Sequence, residues 1–143
     1  MDNAQIEKLF IEYERALNDL DVKRSAEFFP DTFISAGPKG TIAQNKKDFL
    51  KKAEQASAFY RSVGQTSAKI ISKNIIPISD QYTMVTVHWG VTFRKTGDKL
   101  IEFDVSYIVY QPEDEPSIVL FIAHQDEQEA MKKFGLLNEL NPA

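Results

Sequence analysis

The chain has 143 residues, about the length of one average domain, and we predict a single domain over residues 1–143. It contains no cysteine, which excludes disulfide scaffolds, thiolate catalysis, iron–sulfur clusters and cysteine zinc sites. The 17 basic and 21 acidic residues give a net charge of −4, so we expect neither nucleic acid nor an anionic membrane as a partner.

The N-terminal half of the chain predicts helices. The first is amphipathic, with apolar residues at helical spacing: Ile6, Leu9, Phe10, Tyr13 and Leu17. A short second helix is predicted from Asp21 to Phe29 because Pro30 stops it, and a short extended piece follows at Thr32 to Ser35. A third helix is predicted from Asn45, its N-cap, to Gly64.

After Gly64 the period of the apolar residues becomes that of strands. Four strands are predicted: Thr66 to Ile76, Tyr82 to Lys95, Lys99 to Tyr110 and Ser117 to Gln125. A last helix is predicted from Asp126, its N-cap, to Gly135. An apolar tail of three leucines then follows: Leu136, Leu137 and Leu140.

This order of helices followed by an antiparallel meander predicts an α+β fold, with helices on one face of a sheet. The face predicted to meet the helices carries Val85, Val87, Trp89, Val91, Phe93, Phe103, Val105, Tyr107 and Val109. For the central hairpin we predict a three-residue loop with a bulge at Gly97. The expected cross-strand pairs are Phe93 with Phe103, Val91 with Val105, and Trp89 with Tyr107.

Two stretches resemble the start of a known family: Tyr13-Glu14-Arg15-Ala16-Leu17-Asn18-Asp19-Leu20-Asp21 and Phe28-Phe29-Pro30-Asp31. With the element order, they make the chain similar to the nuclear-transport-factor-2-like superfamily, which includes ketosteroid isomerases and SnoaL-like polyketide cyclases. The resemblance implies a cystatin-like cone, in which N-terminal helices pack in the concave face of a curved antiparallel sheet and a short C-terminal helix follows. It also implies a homodimer, formed through the outer face of the sheet.

This chain matches only part of the catalytic residues that the resemblance to ketosteroid isomerases implies. Tyr13 matches the tyrosine that donates a hydrogen bond to the oxyanion in those enzymes. The position of their general-base aspartate is Gly37 here, and that of their second acid falls near Ser106. Because a tyrosine without a base cannot transfer the proton, the resemblance does not predict a steroid isomerase.

His88 and Asp104 form the first candidate acid–base pair. Their positions share the polar face of the central hairpin, which predicts a solvent-exposed or dimer-facing surface. If that face instead lined the pocket, the pair would be catalytic. The sequence leaves these two interpretations open.

His124 with Asp126 is the second candidate pair. Asp126 is explained as the N-cap of the last helix, whereas His124 could reach the mouth of a pocket. The chain has no His-x-His or Glu-x-x-His spacing, so we predict no metal site and no cofactor.

The aromatic residues are more than a small core strictly needs, and two interpretations stay open: a filled core, or an apolar pocket for a flat hydrophobic molecule. The predicted ligand-binding residues are Tyr13, Phe29, Phe33, Phe59, Trp89 and Tyr107. We therefore expect a small-molecule-binding protein, or a cofactor-free isomerase, cyclase or hydrolase using Tyr13 with His88, Asp104 or His124. The alternative is a non-enzymatic dimeric interaction module. The first five residues lack the basic and apolar regions of a signal peptide, so we expect a cytoplasmic protein.

Overall fold

The computed structural model describes residues 3–97, 99–113 and 115–133. Its helices are α1 (Asn3–Asn18), α2 (Val22–Ala26), α3 (Lys46–Val63) and α4 (Glu127–Lys133). Its strands are β1 (Thr32–Gly37), β2 (Gly40–Asn45), β3 (Gln65–Pro77), β4 (Tyr82–Phe93), β5 (Ile101–Tyr110) and β6 (Ser117–Ala123). The predicted helix end at Gly135 and the apolar tail after it lie outside the described residues.

The described strands form one six-stranded sheet in the order β2-β1-β6-β5-β4-β3. Neighbouring strands are antiparallel, except that β1 runs parallel to β6. Register shifts interrupt β3 twice and the β5–β6 pair once, and such bulges bend a sheet. The predicted α+β class, with helices against one face of a curved sheet, is confirmed.

Side-chain caps begin the helices where the sequence predicts them. The Asp21 carboxylate accepts a hydrogen bond from the backbone N–H of Arg24 at the start of α2. At α3, Asn45 Oδ1 accepts from the N–H of Asp48 at 2.9 Å. Gly64 ends α3 in the left-handed conformation, with φ 86°, which favours glycine. These boundaries follow from local hydrogen bonding alone.

The main core lies between α1 and the sheet face turned toward the helices, which we call the inner face. The apolar residues that α1 buries against it are Ile6, Leu9, Phe10, Tyr13 and Ala16. Val85, Val87 and Trp89 of β4 face them and are at most 2% exposed. The predicted inner face of the central hairpin is therefore confirmed.

The pairing within that hairpin differs from the prediction. Trp89 lies opposite Phe103 rather than Tyr107. The reason is that the chain leaves β4 in a 3-10 turn at Arg94–Thr96, and Gly97 then takes a positive φ of 67°. This connection is longer than the predicted three-residue loop. Because β5 slips by an even number of residues, every side chain keeps its face.

Strand β2 has no counterpart in the sequence analysis. Strand β2 forms one edge of the sheet, and most of its residues are exposed. The buried residue of β2 is the polar Gln44, whereas Ile42 is exposed, so no alternation of buried apolar residues marks this strand in the sequence. Within the described parts of the chain, no helix is long and apolar enough to cross a membrane.

Candidate functional site

A cavity of about 240 Å³ opens between the helices and one end of the inner face. Its walls are mostly aliphatic and aromatic side chains from α1, α3, α4 and the sheet. The lining residues are Tyr13, Leu17, Leu20, Tyr60, Gln65, Ala68, Trp89, Val91, Phe93, Ile101, Phe103, Val105, Tyr107, Phe121, Ala123 and Met131.

Sheet topology explains why residues so distant in sequence meet here. In antiparallel strands the end of one element lies beside the start of the next. The end of β4 therefore lies beside the starts of β3 and β5, and the end of β6 lies beside the start of β5. Helices close the other sides, through the second half of α1, through Tyr60 of α3 and through Met131 of α4.

Neutral hydrogen-bonding groups supply the polar part of the wall. Trp89 donates its indole N–H to the Tyr107 hydroxyl oxygen at 3.1 Å, and this bond is buried. Tyr13 meets the rings of Trp89 and Tyr107 edge to face, at centroid distances of 6.2 and 5.7 Å. Gln65 donates to the carbonyl of Leu17 at 3.4 Å. The described side chains that line the cavity include no carboxylate, imidazole, lysine or arginine.

Three of the predicted ligand-binding residues line this cavity: Tyr13, Trp89 and Tyr107. The structure assigns the other three to the core. Phe29 and Phe33 stack at 4.6 Å in the main core, where both are 2% exposed. Phe59 is partly buried against the second core cluster, its ring 5.7 Å from that of Tyr60.

The sequence analysis did not select Tyr60, Gln65, Phe103 or Met131 as cavity residues. Periodicity cannot distinguish a residue that lines a cavity from one that fills a core. Their role depends on how completely the helices cover the sheet, which is a tertiary property.

The candidate acid–base pair lies on the opposite side of the sheet, which we call the outer face. His88 is directly across from Asp104, and its Nδ1 is 2.7 Å from Asp104 Oδ1. Its Nε2 is 2.9 Å from Glu102 Oε1. Both ring nitrogens thus face carboxylates, an arrangement that only the doubly protonated imidazolium satisfies as a donor at both positions. The outer-face interpretation of this pair is the one that the structure supports.

These contacts move both pKa values in the direction that keeps the pair charged. The His88 ring donates hydrogen bonds to the Glu102 carboxylate and to the Asp104 carboxylate, and these bonds, the one to Glu102 most, raise the pKa of His88 above its ordinary 6.5. The hydrogen bond that the Asp104 carboxylate accepts from His88 lowers the pKa of that carboxyl below its ordinary 3.8, and the one that it accepts from Gln125 lowers the pKa further. Both groups are therefore charged at pH values between the lowered pKa of Asp104 and the raised pKa of His88.

His124 belongs to the outer face as well. Its Nε2 is 2.7 Å from Ser106 Oγ, which is 3.0 Å from Thr86 Oγ1. Asp126 accepts a 3.4 Å hydrogen bond from the N–H of Glu129, in keeping with its predicted capping role. In the described ranges no group of three or more His, Asp or Glu side chains is arranged to hold a metal ion. The candidate acid–base residues and the cavity thus occupy opposite faces.

Comparison with known proteins gives a family and a fold. A family model described as "NTF2-like protein (DUF6841)" matches residues 2–126, which is most of the chain. A search of curated proteins finds no match. Solved structures that resemble this one include proteins of unknown function, so the comparison supplies architecture rather than chemistry.

An NTF2-like protein of unknown function from Shewanella oneidensis MR-1 superposes with a TM-score of 0.71 at 17% identity, covering 87% of this chain and 100% of that one. A cystatin-like protein of unknown function from Nostoc punctiforme has a TM-score of 0.67 at 16% identity, covering 87% and 91%. A ketosteroid isomerase-like protein from Erwinia carotovora atroseptica has a TM-score of 0.63 at 15% identity, covering 85% and 93%. At these identities the likeness is one of fold alone.

Proposed function

The chain belongs to the NTF2-like family DUF6841, and we propose that it binds a small, flat, apolar molecule in the cavity beside Trp89. The observation that carries this proposal is the wall itself. Aliphatic and aromatic side chains surround a space in which a few neutral donors and acceptors converge, the usual composition of a ligand site.

The size of the cavity limits the ligand. At about 240 Å³ it exceeds the roughly 150 Å³ of an apolar cavity that admits benzene. It is smaller than the pockets of about 300–1,000 Å³ that hold drug-sized molecules. A molecule with one ring, or with two fused rings, and a single oxygen atom matches both the volume of the cavity and the hydroxyl groups of its wall.

We rank binding above catalysis because of the chemistry of the wall. A tyrosine hydroxyl has an ordinary pKa of about 10, so it serves as a hydrogen-bond donor but as a poor base at neutral pH. The carboxylates and imidazoles that could act as bases point away from the cavity, on the outer face. A cofactor-free isomerase, cyclase or hydrolase would have to work with Tyr13 and its neutral neighbours, which makes it the alternative.

Fluorescence tests the proposal directly because Trp89 is the one tryptophan of the chain. We expect 2-naphthol to change the Trp89 emission saturably. Ala68→Leu, which extends a side chain into the cavity, should abolish that change. Ala56→Leu adds the same atoms on the exposed side of α3 and is the matched control. Native mass spectrometry of freshly purified protein should in addition release an apolar compound on denaturation. No saturable response to naphthol or to related one- and two-ring compounds would refute the proposal.

Self-association through the outer face is the second candidate function. Apolar side chains of three strands are open to solvent there: Ile34 of β1, Ile76 of β3 and Ile122 of β6 are 38–42% exposed. Exposed apolar surface of this kind favours an interface. A second copy related by a two-fold axis would cover the same residues on both chains. This surface supports a homodimer, with or without a ligand in the cavity.

Sedimentation velocity tests the homodimer. We expect wild-type protein to sediment as a dimer and Ile122→Arg to sediment as a monomer, because an arginine in the middle of an apolar interface cannot be solvated. Ile11→Arg is the matched control, since Ile11 is exposed on α1, away from the sheet. A monomeric wild type at high protein concentration would refute the interface.

A further inference from the structure

The turn between α1 and α2 holds a leucine in a conformation that glycine usually adopts. Leu20 has a φ of 54°, and among the residues that the structure describes it is the one non-glycine with a positive φ. In this left-handed region the Cβ of an L-residue crowds the carbonyl oxygen that follows it. A leucine held there points to a role for its side chain.

The hydrogen bonds of the turn explain the conformation but not the leucine. The N–H of Leu20 donates to the carbonyl of Leu17 at 3.2 Å, and the N–H of Asp21 donates to that of Ala16 at 2.9 Å. These two bonds form a Schellman motif, whose left-handed position is usually glycine. The apolar contact that often accompanies the motif is made by the following residue, which here is the polar Asp21, the N-cap of α2. The motif therefore requires the backbone of Leu20 and not its side chain.

Two side chains of α3 hold the backbone of Leu20 in place. Its carbonyl oxygen accepts hydrogen bonds from Ser57 Oγ at 3.4 Å and from Arg61 Nη2 at 3.2 Å. Both residues belong to a shallow groove between the turn and α3, which we call the α3 groove. The residues that line it are Asp19, Leu20, Asp21, Val22, Lys23, Glu54, Ser57, Ala58 and Arg61. The carbonyl of Leu20 therefore faces this groove.

Leu20 also lines the cavity beside Trp89. No other described residue lines both the cavity and the α3 groove. The groove residues are mostly polar or charged, whereas the cavity wall is mostly apolar. Because the carbonyl of Leu20 is directed at the groove, its apolar side chain is the part suited to the cavity. Leu20 thus lies at the boundary between an apolar space and a polar one.

We propose that Leu20 determines the size of the ligand that the cavity accepts. Its side chain occupies the space toward the α3 groove that a third fused ring would need. The left-handed turn fixes the side chain there, which accounts for a leucine at a position where glycine is less strained. This inference rests on the ligand-binding function proposed above and adds the residue that sets the limit of two rings.

Alanine and glycine at position 20 separate the backbone from the side chain. Leu20→Ala and Leu20→Gly both lose the leucine side chain, but only glycine relieves the left-handed backbone. We therefore expect the unfolding equilibrium constant of Leu20→Gly to be about fivefold smaller than that of Leu20→Ala, measured by urea denaturation. Ile11, which is exposed on α1, is the control position. There glycine should be about fivefold less stable than alanine, because it disfavours a helix. Equal stability of the two Leu20 variants would overturn the proposal, since it removes the strain that the side chain has to justify.

Two hydroxylated aromatic probes test the size limit: 2-naphthol, which has two rings, and 9-phenanthrol, which has three. Wild-type protein should bind 9-phenanthrol at least about tenfold more weakly than 2-naphthol, since even one methylene too many in an apolar pocket costs about that factor. Leu20→Gly and Leu20→Ala should bind both probes with similar affinity. The saturable change in the emission of Trp89, the one tryptophan of the chain, measures binding.

Leu17→Ala is the matched control, because it removes the same atoms as Leu20→Ala from another leucine of the cavity wall. Leu17 packs against the main core and is not one of the residues that line the α3 groove. We expect Leu17→Ala to keep the wild-type preference for 2-naphthol. An equal gain in 9-phenanthrol binding in Leu17→Ala and Leu20→Ala would overturn the assignment of the limit to Leu20.

The same titrations distinguish the failure of this proposal from the failure of ligand binding. If the wild type binds 2-naphthol and the Leu20 variants gain no affinity for 9-phenanthrol, the ligand-binding function stands and the role of Leu20 is refuted. If the wild type binds neither probe while the Leu20 variants bind 9-phenanthrol, Leu20 limits the cavity and the proposed two-ring ligand is refuted. If none of the proteins binds either probe, both proposals are refuted.

Discussion

The two faces of β4 and β5 carry opposite chemistries on the same two strands. On the inner face, Trp89 and Tyr107 share a buried hydrogen bond at the wall of a cavity. On the outer face, His88 and Asp104 form a partly exposed ion pair. Trp89 and His88 are consecutive in sequence, yet the whole thickness of the sheet separates their side chains.

The difference teaches that residue type alone does not identify a site. His88 and Asp104 have the types expected of an acid and a base, but they meet no cavity. The inner face has a cavity and offers only neutral polar groups to it. The cavity and the titrating pair thus lie on opposite faces, and the following predictions test that division.

The largest expected effect is on the inner face. We expect Trp89→Ala to lower the free energy of unfolding by about 3–5 kcal/mol, the usual cost of truncating a buried aromatic side chain. Urea denaturation followed by far-ultraviolet circular dichroism measures it. A loss below about 1 kcal/mol would contradict the close packing of the Trp89 side chain in the main core.

A smaller effect is expected from the hydroxyl of Tyr107. We expect Tyr107→Phe to lower the free energy of unfolding by about 1–3 kcal/mol, because the Trp89 indole N–H loses its acceptor while staying buried. The same urea experiment applies. Tyr110→Phe, on a partly exposed tyrosine of the outer face, is the control and should leave stability unchanged.

On the outer face we expect an effect of pH rather than a large loss of stability. The raised pKa of His88 stabilises the fold fully below 6.5, and this stabilisation is lost as the pH rises through the raised value. The lowered pKa of Asp104 stabilises the fold above 3.8, and that contribution is lost as the pH falls through the lowered value. The pair therefore stabilises the fold most at pH values between 3.8 and 6.5, where both contributions are present.

Thermal unfolding of His88→Gln checks this window. The thermal midpoint of the variant should lie further below that of the wild type at pH 5 than at pH 9. Thr86→Val, a neighbour on the outer face that does not titrate, should show the same difference from wild type at both pH values. Equal losses for His88→Gln at pH 5 and pH 9 would contradict the ionic description of the pair.

The sequence determined the elements whose signals are local. Helical spacing fixed α1, the side chains of Asp21 and Asn45 fixed helix starts, and Gly64 fixed a helix end. The alternation of β4 and β5 fixed which face is buried, because a side chain keeps its face under any even change of register. The predicted family is confirmed by a family model that matches residues 2–126.

The tertiary structure decided the rest. The slip that sets Trp89 opposite Phe103 follows from the 3-10 turn after β4, and β2 is held by its pairing with β1 rather than by its own pattern. No periodicity could separate Phe29 and Phe33, which fill the core, from Tyr13 and Tyr107, which line the cavity. All of them are aromatic residues on buried faces. Whether such a residue meets another side chain or an open space depends on how helices and sheet fit together, and that is a property of the assembled fold.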